Sequence, residues 1–500
     1  MRTARFPLLI VVWFAVFAGP ALAQIPEGTG NAAPTDGGER KAAAGDKEEE
    51  HKPPDPDTGK STLSHETLGL LPNPFETRGL KFSASYVGEM FGNPSGGLRR
   101  GATYEGRLNL AVDLDFARLA GWSGLSFHGN VFQIHGHGLS RDYIGNLMLV
   151  SSIEAVPTTR LYEAWFEQKF AGDKISVRAG QLAADTEFIT SKYTDVFVNS
   201  SFGWPAILGV NLPSGGPSPP LAAMGARLKA EMTDQVTLLG AVFDGDAAGP
   251  GTDDPQIRNR YGVNFRLNDP PLVIGEAQYA YHQKKAEPGL PGTVRLGGWY
   301  HAGRFDDQRF TAQGLSQADP NGTGAPARLP SNFGVYGVFE QLVLQLPGTD
   351  PRGIGIFTRV SASPQDRNLV SFYADGGLNF QGPLAQRPND KFGIGLGYLR
   401  ISDRARALDR DFALIAGGNR PVRDYEALAA VNYLAEVRQG WTVNPNVQYI
   451  VHPGGGYVLD GGEECSRIRY AHGVEVLIAA RHRCIGALVA IPGLFGSRLP

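Results

Sequence analysis

The stretch Thr103–Phe116, TYEGRLNLAVDLDF, separates into two faces when every second residue is taken. Tyr104, Leu108, Leu110, Val112, Leu114 and Phe116 fall on one side, with Gly106. Thr103, Glu105, Arg107, Asn109, Asp113 and Asp115 fall on the other, with Ala111. Side chains alternate between faces along an extended strand, so this is a strand with one greasy and one charged face. The period of two recurs. In RLYEAWFEQKF, Tyr162, Ala164, Phe166 and Phe170 oppose Glu163, Trp165, Glu167 and Lys169. In GARLKAEM, Leu228, Ala230 and Met232 oppose Arg227, Lys229 and Glu231. In LVSFYADGGLNF, Val370, Phe372, Ala374, Leu378 and Phe380 oppose Ser371, Tyr373, Asp375 and Asn379. Two architectures accept such repetition. A soluble sandwich hides the greasy faces inside. A membrane barrel with a water-filled bore turns them outward to lipid.

Number, length and composition favour the barrel. From about Leu80 onward, about sixteen strand-like runs follow one another between Gly, Pro, Asn and Asp. They include LKFSASYVGEMFG, WSGLSFHGNVFQI, DKISVRAGQ, RYGVNFRL, KFGIGLGYLRIS and WTVNPNVQYIVHP. Several are long enough to cross a bilayer at a tilt, which takes about 9–11 residues. Beyond the N-terminus no run approaches the roughly 18 uncharged apolar residues of a membrane helix. A barrel needs only half of each strand to be apolar, which suits a chain that is 42% hydrophobic and 19% charged. The 65 glycines suit many turns. A net charge of -3 without a Lys/Arg stripe gives no footprint for nucleic acid. The expected fold is therefore all-β, a transmembrane antiparallel barrel of about sixteen strands. Glu105, Arg107, Asp113 and Asp115 are expected to face the bore.

The ends are expected to differ from this barrel. Residues 1–23 read as a signal peptide: Arg2 and Arg5, the apolar core FPLLIVVWFAVFAG, then ALA as a cleavage site. Residues 24–60 hold no aromatic residue and run through KEEEHKPPDPD, which predicts a disordered periplasmic lead-in. Residues 61–460 form the barrel region. Residues 461–500 are atypical: alternation fades, Cys465 and Cys484 fall here, and the last residues, GLFGSRLP, lack the terminal aromatic strand usual in outer-membrane barrels. The spacing of the two cysteines demands no pairing.

Two stretches carry a more specific signal: GLRRGATYEGRLNLAVDLDFARLAGWSGLSFHGNVFQIHGHGLS and RLYEAWFEQKFAGDKISVRAGQLAADTEFITSKYTDVFVNSSFGWP. They resemble the carbohydrate-selective porin family, OprB type, of Gram-negative outer membranes. LYEAWFEQ, RAGQLAADTEF and NSSFGWP are the most specific parts. The resemblance runs from about Leu80 to about Pro453. It implies passive diffusion of monosaccharides such as glucose through a water-filled pore in the outer membrane. The partners then expected are the sugar, outer-membrane lipid and the barrel assembly machinery. Both a monomer and a homotrimer are compatible with the sequence.

A sugar presents hydroxyls and a flat C–H face, so a selective bore needs charged groups, amides and an aromatic ring, binding weakly enough for release. Glu163, Trp165 and Glu167 share the polar face of one strand and Arg178 that of the next. Glu105 and Arg107 come from an earlier strand. The irregular segment from Leu182 to Pro220 is the best candidate for a loop folded into the bore. It contributes Asp185, Glu187, Lys192 and Trp204 as candidate sugar contacts. No nucleophile elbow, zinc-protease helix motif or P-loop is present, and His135 with His137 lacks a third metal ligand nearby. Neither an enzyme nor a cofactor is expected. Two other readings stay open: a general diffusion porin without a sugar site, and an exported β-rich carbohydrate-binding protein.

Overall fold

In the computed structural model of the chain, the described residues are 75–284, 287–346, 352–416, 421–438 and 440–456, with the strand segments Arg467–Arg469, Glu475–Leu477 and Ile485–Ala490. The expected signal peptide at 1–23, the lead-in at 24–60, and Cys465 and Cys484 lie outside the described residues.

The alternating stretches become strands. In chain order they are β1 (Leu80–Asn93), β2 (Gly101–Asp115), β3 (Leu125–Gly136), β4 (Thr158–Phe170), β5 (Ile175–Leu182), β6 (Ala223–Glu231), β7 (Val236–Phe243) and β8 (Leu272–Tyr281). Then come β9 (Gly292–Thr311), β10 (Pro326–Gln345), β11 (Gly353–Ala362), β12 (Val370–Gln381), β13 (Lys391–Ile401) and β14 (Tyr425–Arg438). The last are β15 (Trp441–Val443), β16 (Asn446–Val451), a small pair β17 (Arg467–Arg469) and β18 (Glu475–Leu477), and β19 (Ile485–Ala490). From β1 to β14 each strand pairs antiparallel with the next. The main sheet has 17 strands, and because β15 and β16 both lie on β14 they fill sixteen positions. β19 pairs with β16 on one side and β1 on the other, which closes the ring. Closure matters physically, because a sheet edge in lipid would leave unpaired amides and carbonyls at several kcal/mol each.

The closing strand lies in the C-terminal segment that the sequence sets apart. One stretch read as a strand, RYGVNFRL, stays outside the sheet. WTVNPNVQYIVHP is broken between β15 and β16, at residues 444–445.

The greasy face is outside. Along β13, Ile394, Leu396 and Tyr398 are exposed while Gly393, Gly395, Gly397 and Leu399 are buried. Leu228 and Leu296, at 50% and 65% exposure, follow the same rule on β6 and β9, where Arg227 and Trp299 are buried. Arg400 continues the outward face of β13 at its end, where it pairs with Asp403 at 2.8 Å. Outward aromatic rings meet from strand to strand. Tyr398 lies 6.4 Å from Phe372 and 5.6 Å from Tyr425.

Two face assignments change: Val370, expected outward with Phe372, is buried in the loop core beside a register shift of β12 with β13, and Tyr162 changes on β4. A register shift where β3 meets β4, between Gly129 and Val131, places an extra residue in the ladder. Tyr162 and Glu163 are consecutive and both buried. Tyr162, expected outward with Phe166, turns inward, because a bulge breaks the strict period of two.

Connections at one rim are short, at 171–174 and 232–235. Those at the other are long, at 137–157, 183–222, 244–271 and 402–424. Segment 183–222 enters the ring, as expected for a loop folded into the bore. It bonds to the far wall: Ile189 N to Glu276 (2.8 Å), Ser191 Oγ to Glu340 (2.7 Å), Asn199 Nδ2 to Gln448 Oε1 (2.9 Å) and Asn211 Nδ2 to Val370 O (2.7 Å). Segment 137–157 does the same, which the sequence reading did not anticipate. Its Leu147 and Met148 amides reach Glu426 at 2.8 and 2.7 Å. Phe188, Ile189, Phe202, Ile207 and Leu208 of the first segment join Met148 and Val150 of the second in one apolar core with Phe357 and Tyr373 of the wall. The barrel thus carries two apolar surfaces, one outward and one between its wall and its loops.

Candidate functional site

The inner wall from β2 to β6 carries a belt of polar and planar side chains, set by strand register. Asp113 stands opposite His128, and His128 opposite Trp165. Two residues further along β4, Glu167 stands opposite Arg178, and Arg178 opposite Arg227. Neighbours in this belt touch. His128 Nδ1 lies 2.7 Å from Asp113 Oδ1. The imidazole stacks on Trp165 with centroids 5.1 Å apart. From the other neighbouring strand the Arg178 guanidinium lies 3.6 Å from the Trp165 ring centroid, a cation–π contact.

Segment 183–222 adds a carboxylate. Glu187 takes Arg178 Nη1 at 2.9 Å and Arg227 Nε at 2.6 Å. Glu167 takes Arg227 Nη2 at 2.9 Å and lies 3.6 Å from Arg178 Nη2. Two arginines and two carboxylates therefore neutralise each other, with Arg178 and Arg227 each 4% exposed. Such a buried network adds little net stability, but removing one member leaves an uncompensated charge. Beside it, Glu163 Oε1 accepts from the Ala183 amide at 3.0 Å, fixing where the inward segment leaves β5.

The ten candidate contacts separate into groups. Glu167, Arg178 and Glu187 meet directly, with Trp165 and Glu163 alongside. Arg107 and Asp185 belong to a second line: Arg107 lies 4.6 Å from the Phe132 ring centroid, Phe132 stacks on Tyr162 at 4.4 Å, and the Tyr162 hydroxyl donates to Asp185 at 3.3 Å. Glu105 is 2% exposed and stands opposite Glu89 of β1, which accepts from Ser151 Oγ at 2.5 Å. Nearby on segment 137–157, burial pushes the Glu154 carboxyl above its usual range, against hydrogen bonds from Ser140 and Arg141 that pull it down. Lys192 is far from these, against β10 on the opposite wall. It is exposed, its amide donates to Glu340 at 3.0 Å, and Arg295 Nη2 reaches the same carboxylate at 3.1 Å. Trp204 is 8% exposed inside the loop core, and its Nε1 donates to Gly215 O at 3.0 Å. Trp165 is also 8% exposed, so its ring offers little face to a solute.

Residues outside the ten candidate contacts hold the inward segment in place. Arg359 of β11, 1% exposed, pairs with Asp375 and donates to Ile189 O at 3.1 Å, Gly203 O at 3.0 Å and Ser201 O at 2.7 Å. Glu426 accepts from three backbone amides, the third being Gly454 at 2.7 Å. Asp195 of the segment pairs with Lys391 and accepts from Asn379 at 2.9 Å. The alternation carried a signal for each, since Arg359, Asp375 and Glu426 sit among outward apolar residues at odd spacing. The loop groups they hold, Ile189, Ser201 and Gly203 for Arg359 and Leu147 and Met148 for Glu426, are more than a hundred residues away and could not be read.

Chemically, the ring surrounds a polar interior narrowed by two segments. The charged groups retaining exposed surface include Asp113 and His128 on one wall and Lys192 with Asp195 on the other. Their side-chain exposures are 41% for Asp113, 21% for His128 and 25% for Asp195. Such groups can exchange hydrogen bonds with a hydroxylated solute.

The sequence pattern of the carbohydrate-selective porin, OprB family, matches residues 99–471. The chain is similar to Porin B of Pseudomonas aeruginosa, with 25% identity over 403 residues covering 76% of this chain and 84% of that one. It is similar to the putative porin QuiX of Acinetobacter baylyi, with 23% identity over 403 residues covering 76% and 86%. Among solved structures, the high-pH structure of Pseudomonas putida OprB matches with a TM-score of 0.71 at 22% identity, covering 86% of this chain and 98% of that chain. That last likeness speaks to the fold.

Proposed function

The chain belongs to the carbohydrate-selective porin family of the OprB type, and from that premise we propose how it admits its solute. It is a channel for carbohydrates rather than an enzyme. A monosaccharide such as glucose diffuses down its gradient through the bore, past the inward segment 183–222, exchanging hydrogen bonds with side chains on opposite walls. The observation that carries this reading is the belt from Asp113 to Arg227, with the inward segment bonded across the ring from it. The buried quartet of Glu167, Arg178, Arg227 and Glu187 fixes the segment. Sugar hydroxyls meet the groups with free surface: Asp113, His128, Lys192 and Asp195. Weak and distributed contacts of this kind suit conduction, since a solute held tightly would not leave.

The outward apolar wall supports residence in the outer membrane of a Gram-negative bacterium, surrounded by lipid and delivered by the barrel assembly machinery. The test is single-channel conductance of the refolded chain in a planar bilayer, titrated with glucose. Saturable loss of ion conductance supports a sugar-binding bore, and Lys192→Ala and His128→Ala should each weaken it while single-channel current persists. Conductance indifferent to glucose would leave a general diffusion porin. The charged quartet is saturated by its own members, so sugar contact falls to the exposed groups.

A further inference from the structure

The stretch RYGVNFRL, Arg260–Leu267, alternates like a strand but joins no sheet. It lies in the long connection 244–271 between β7 and β8. Its backbone is nevertheless bonded to the barrel several strands away. The Leu161 amide of β4 donates to Tyr261 O at 3.0 Å, and Gln181 Nε2 of β5 donates to Gly262 O at 3.0 Å. Gly262 has φ +69°, and a Cβ there would collide with the Leu161 carbonyl oxygen, so only glycine lets the two backbones approach.

Even-numbered residues are tied to protein. Gly262 is buried, Asn264 Nδ2 donates to Arg258 O at 3.1 Å, and Arg266 pairs with Asp269 at 2.6 Å. Odd-numbered ones project away: Tyr261, Val263, Phe265 and Leu267 are 63%, 51%, 54% and 71% exposed. Four large apolar side chains in a row on a polar surface loop would be costly to leave in water.

The strands between the two anchor points are short. β5, β6 and β7 have 8, 9 and 8 residues, at or below the roughly 9–11 residues that a tilted spanning strand needs. Over this arc the apolar wall, marked by exposed Val177, Leu228, Leu238 and Val242, would otherwise be low. We propose that Tyr261–Leu267 completes the lipid-facing wall above β5–β7, with Tyr261, Val263, Phe265 and Leu267 set against acyl chains of the outer leaflet. The occupant is lipid because the stripe continues a surface that already faces lipid, and because its Tyr261 and Gly262 carbonyls are bonded by β4 and β5 while Asn264 and Arg266 are satisfied within the connection itself. The inference rests on membrane residence of the barrel.

The test attaches a nitroxide label singly at Tyr261→Cys, Val263→Cys, Asn264→Cys, Phe265→Cys and Leu267→Cys. The full chain carries Cys465→Ser and Cys484→Ser and is refolded into bilayers. Leu228→Cys and Val242→Cys serve as wall controls, and heat-dependent migration on gels verifies folding. Collision with oxygen, which concentrates in lipid, is compared with collision with a water-soluble nickel chelate. The expected result is oxygen-dominated collision at the four odd positions, as at the wall controls, with the ratio reversed at Asn264→Cys. Adding Gly262→Val should shift the Phe265→Cys label toward nickel. Nickel-dominated collision at the odd positions, with the controls still in lipid, would overturn the inference and leave the porin reading standing. Labels shielded from both reagents and broadened by one another would place a second copy on the stripe and also overturn it. Wall controls open to nickel would overturn the membrane reading itself, and the inference with it.

Discussion

Arg178 and Arg227 stand directly opposite one another on β5 and β6, two like charges in register, and the same two carboxylates neutralise both. One carboxylate, Glu167, comes from the wall; the other, Glu187, comes from the segment that enters the bore. Attachment of the segment and charge balance in the wall are therefore a single interaction.

Glu187→Gln should release that attachment. It leaves two buried guanidinium groups with one carboxylate, and breaking a buried pair in this way costs about 3–5 kcal/mol. The folded barrel should melt at lower temperature in detergent, and its conductance should become noisy. Unchanged melting would mean that the quartet is solvated in the membrane.

Gly395→Val should open the channel. A Cβ at Gly395 would fall 2.6 Å from the Phe202 ring and 2.8 Å from that of Phe197. Both rings belong to the inward segment and stack at 4.3 Å. Overpacking of this kind costs about 1–3 kcal/mol, and moving the segment is the cheaper response than deforming the ring. Larger single-channel conductance is the expected readout; an unaltered value would mean the wall yields instead.

Glu426→Ala should loosen segment 137–157. The carboxylate accepts from the amides of Leu147, Met148 and Gly454, and truncation leaves three donors unsatisfied, two of them buried. Each unsatisfied donor costs about 1–3 kcal/mol. Hydrogen exchange at those amides should accelerate while exchange along β13 stays slow. Glu426→Gln, which keeps one acceptor oxygen, should fall between.

Leu396→Arg distinguishes an outward face in lipid from one in water. Leu396 is 61% exposed at the middle of β13. In a bilayer an arginine there costs about 2–4 kcal/mol near the midplane, whereas on a wetted surface it would be close to neutral. Denaturant unfolding of the bilayer-refolded protein reads the difference.

The period of two in stretches such as TYEGRLNLAVDLDF, repeated over about sixteen runs of which several are long enough to span a bilayer, determined the class of fold, because only a closed sheet can turn a greasy face outward on so many strands and still pair its backbone. It also determined which face of most strands looks inward, so Glu105, Glu167 and Arg178 could be placed on the inner wall from local pattern alone. The irregularity of 183–222, rich in aromatics, marked it as a segment for the bore. Tertiary structure decided what alternation cannot encode. The bulge between β3 and β4 turned Tyr162 inward, since one inserted residue resets the period. RYGVNFRL stayed out of the sheet because its Tyr261 and Gly262 carbonyls accept from the Leu161 amide of β4 and the Gln181 side chain of β5 rather than from a neighbouring strand. β19 closed the ring from a segment with weak alternation, because a six-residue strand flanked by two others is held by its backbone pairing. Alternation marks Arg359 and Glu426 as inward, but their anchoring role, with that of Gln448, emerged only in three dimensions, because the loop groups they bind are distant in sequence.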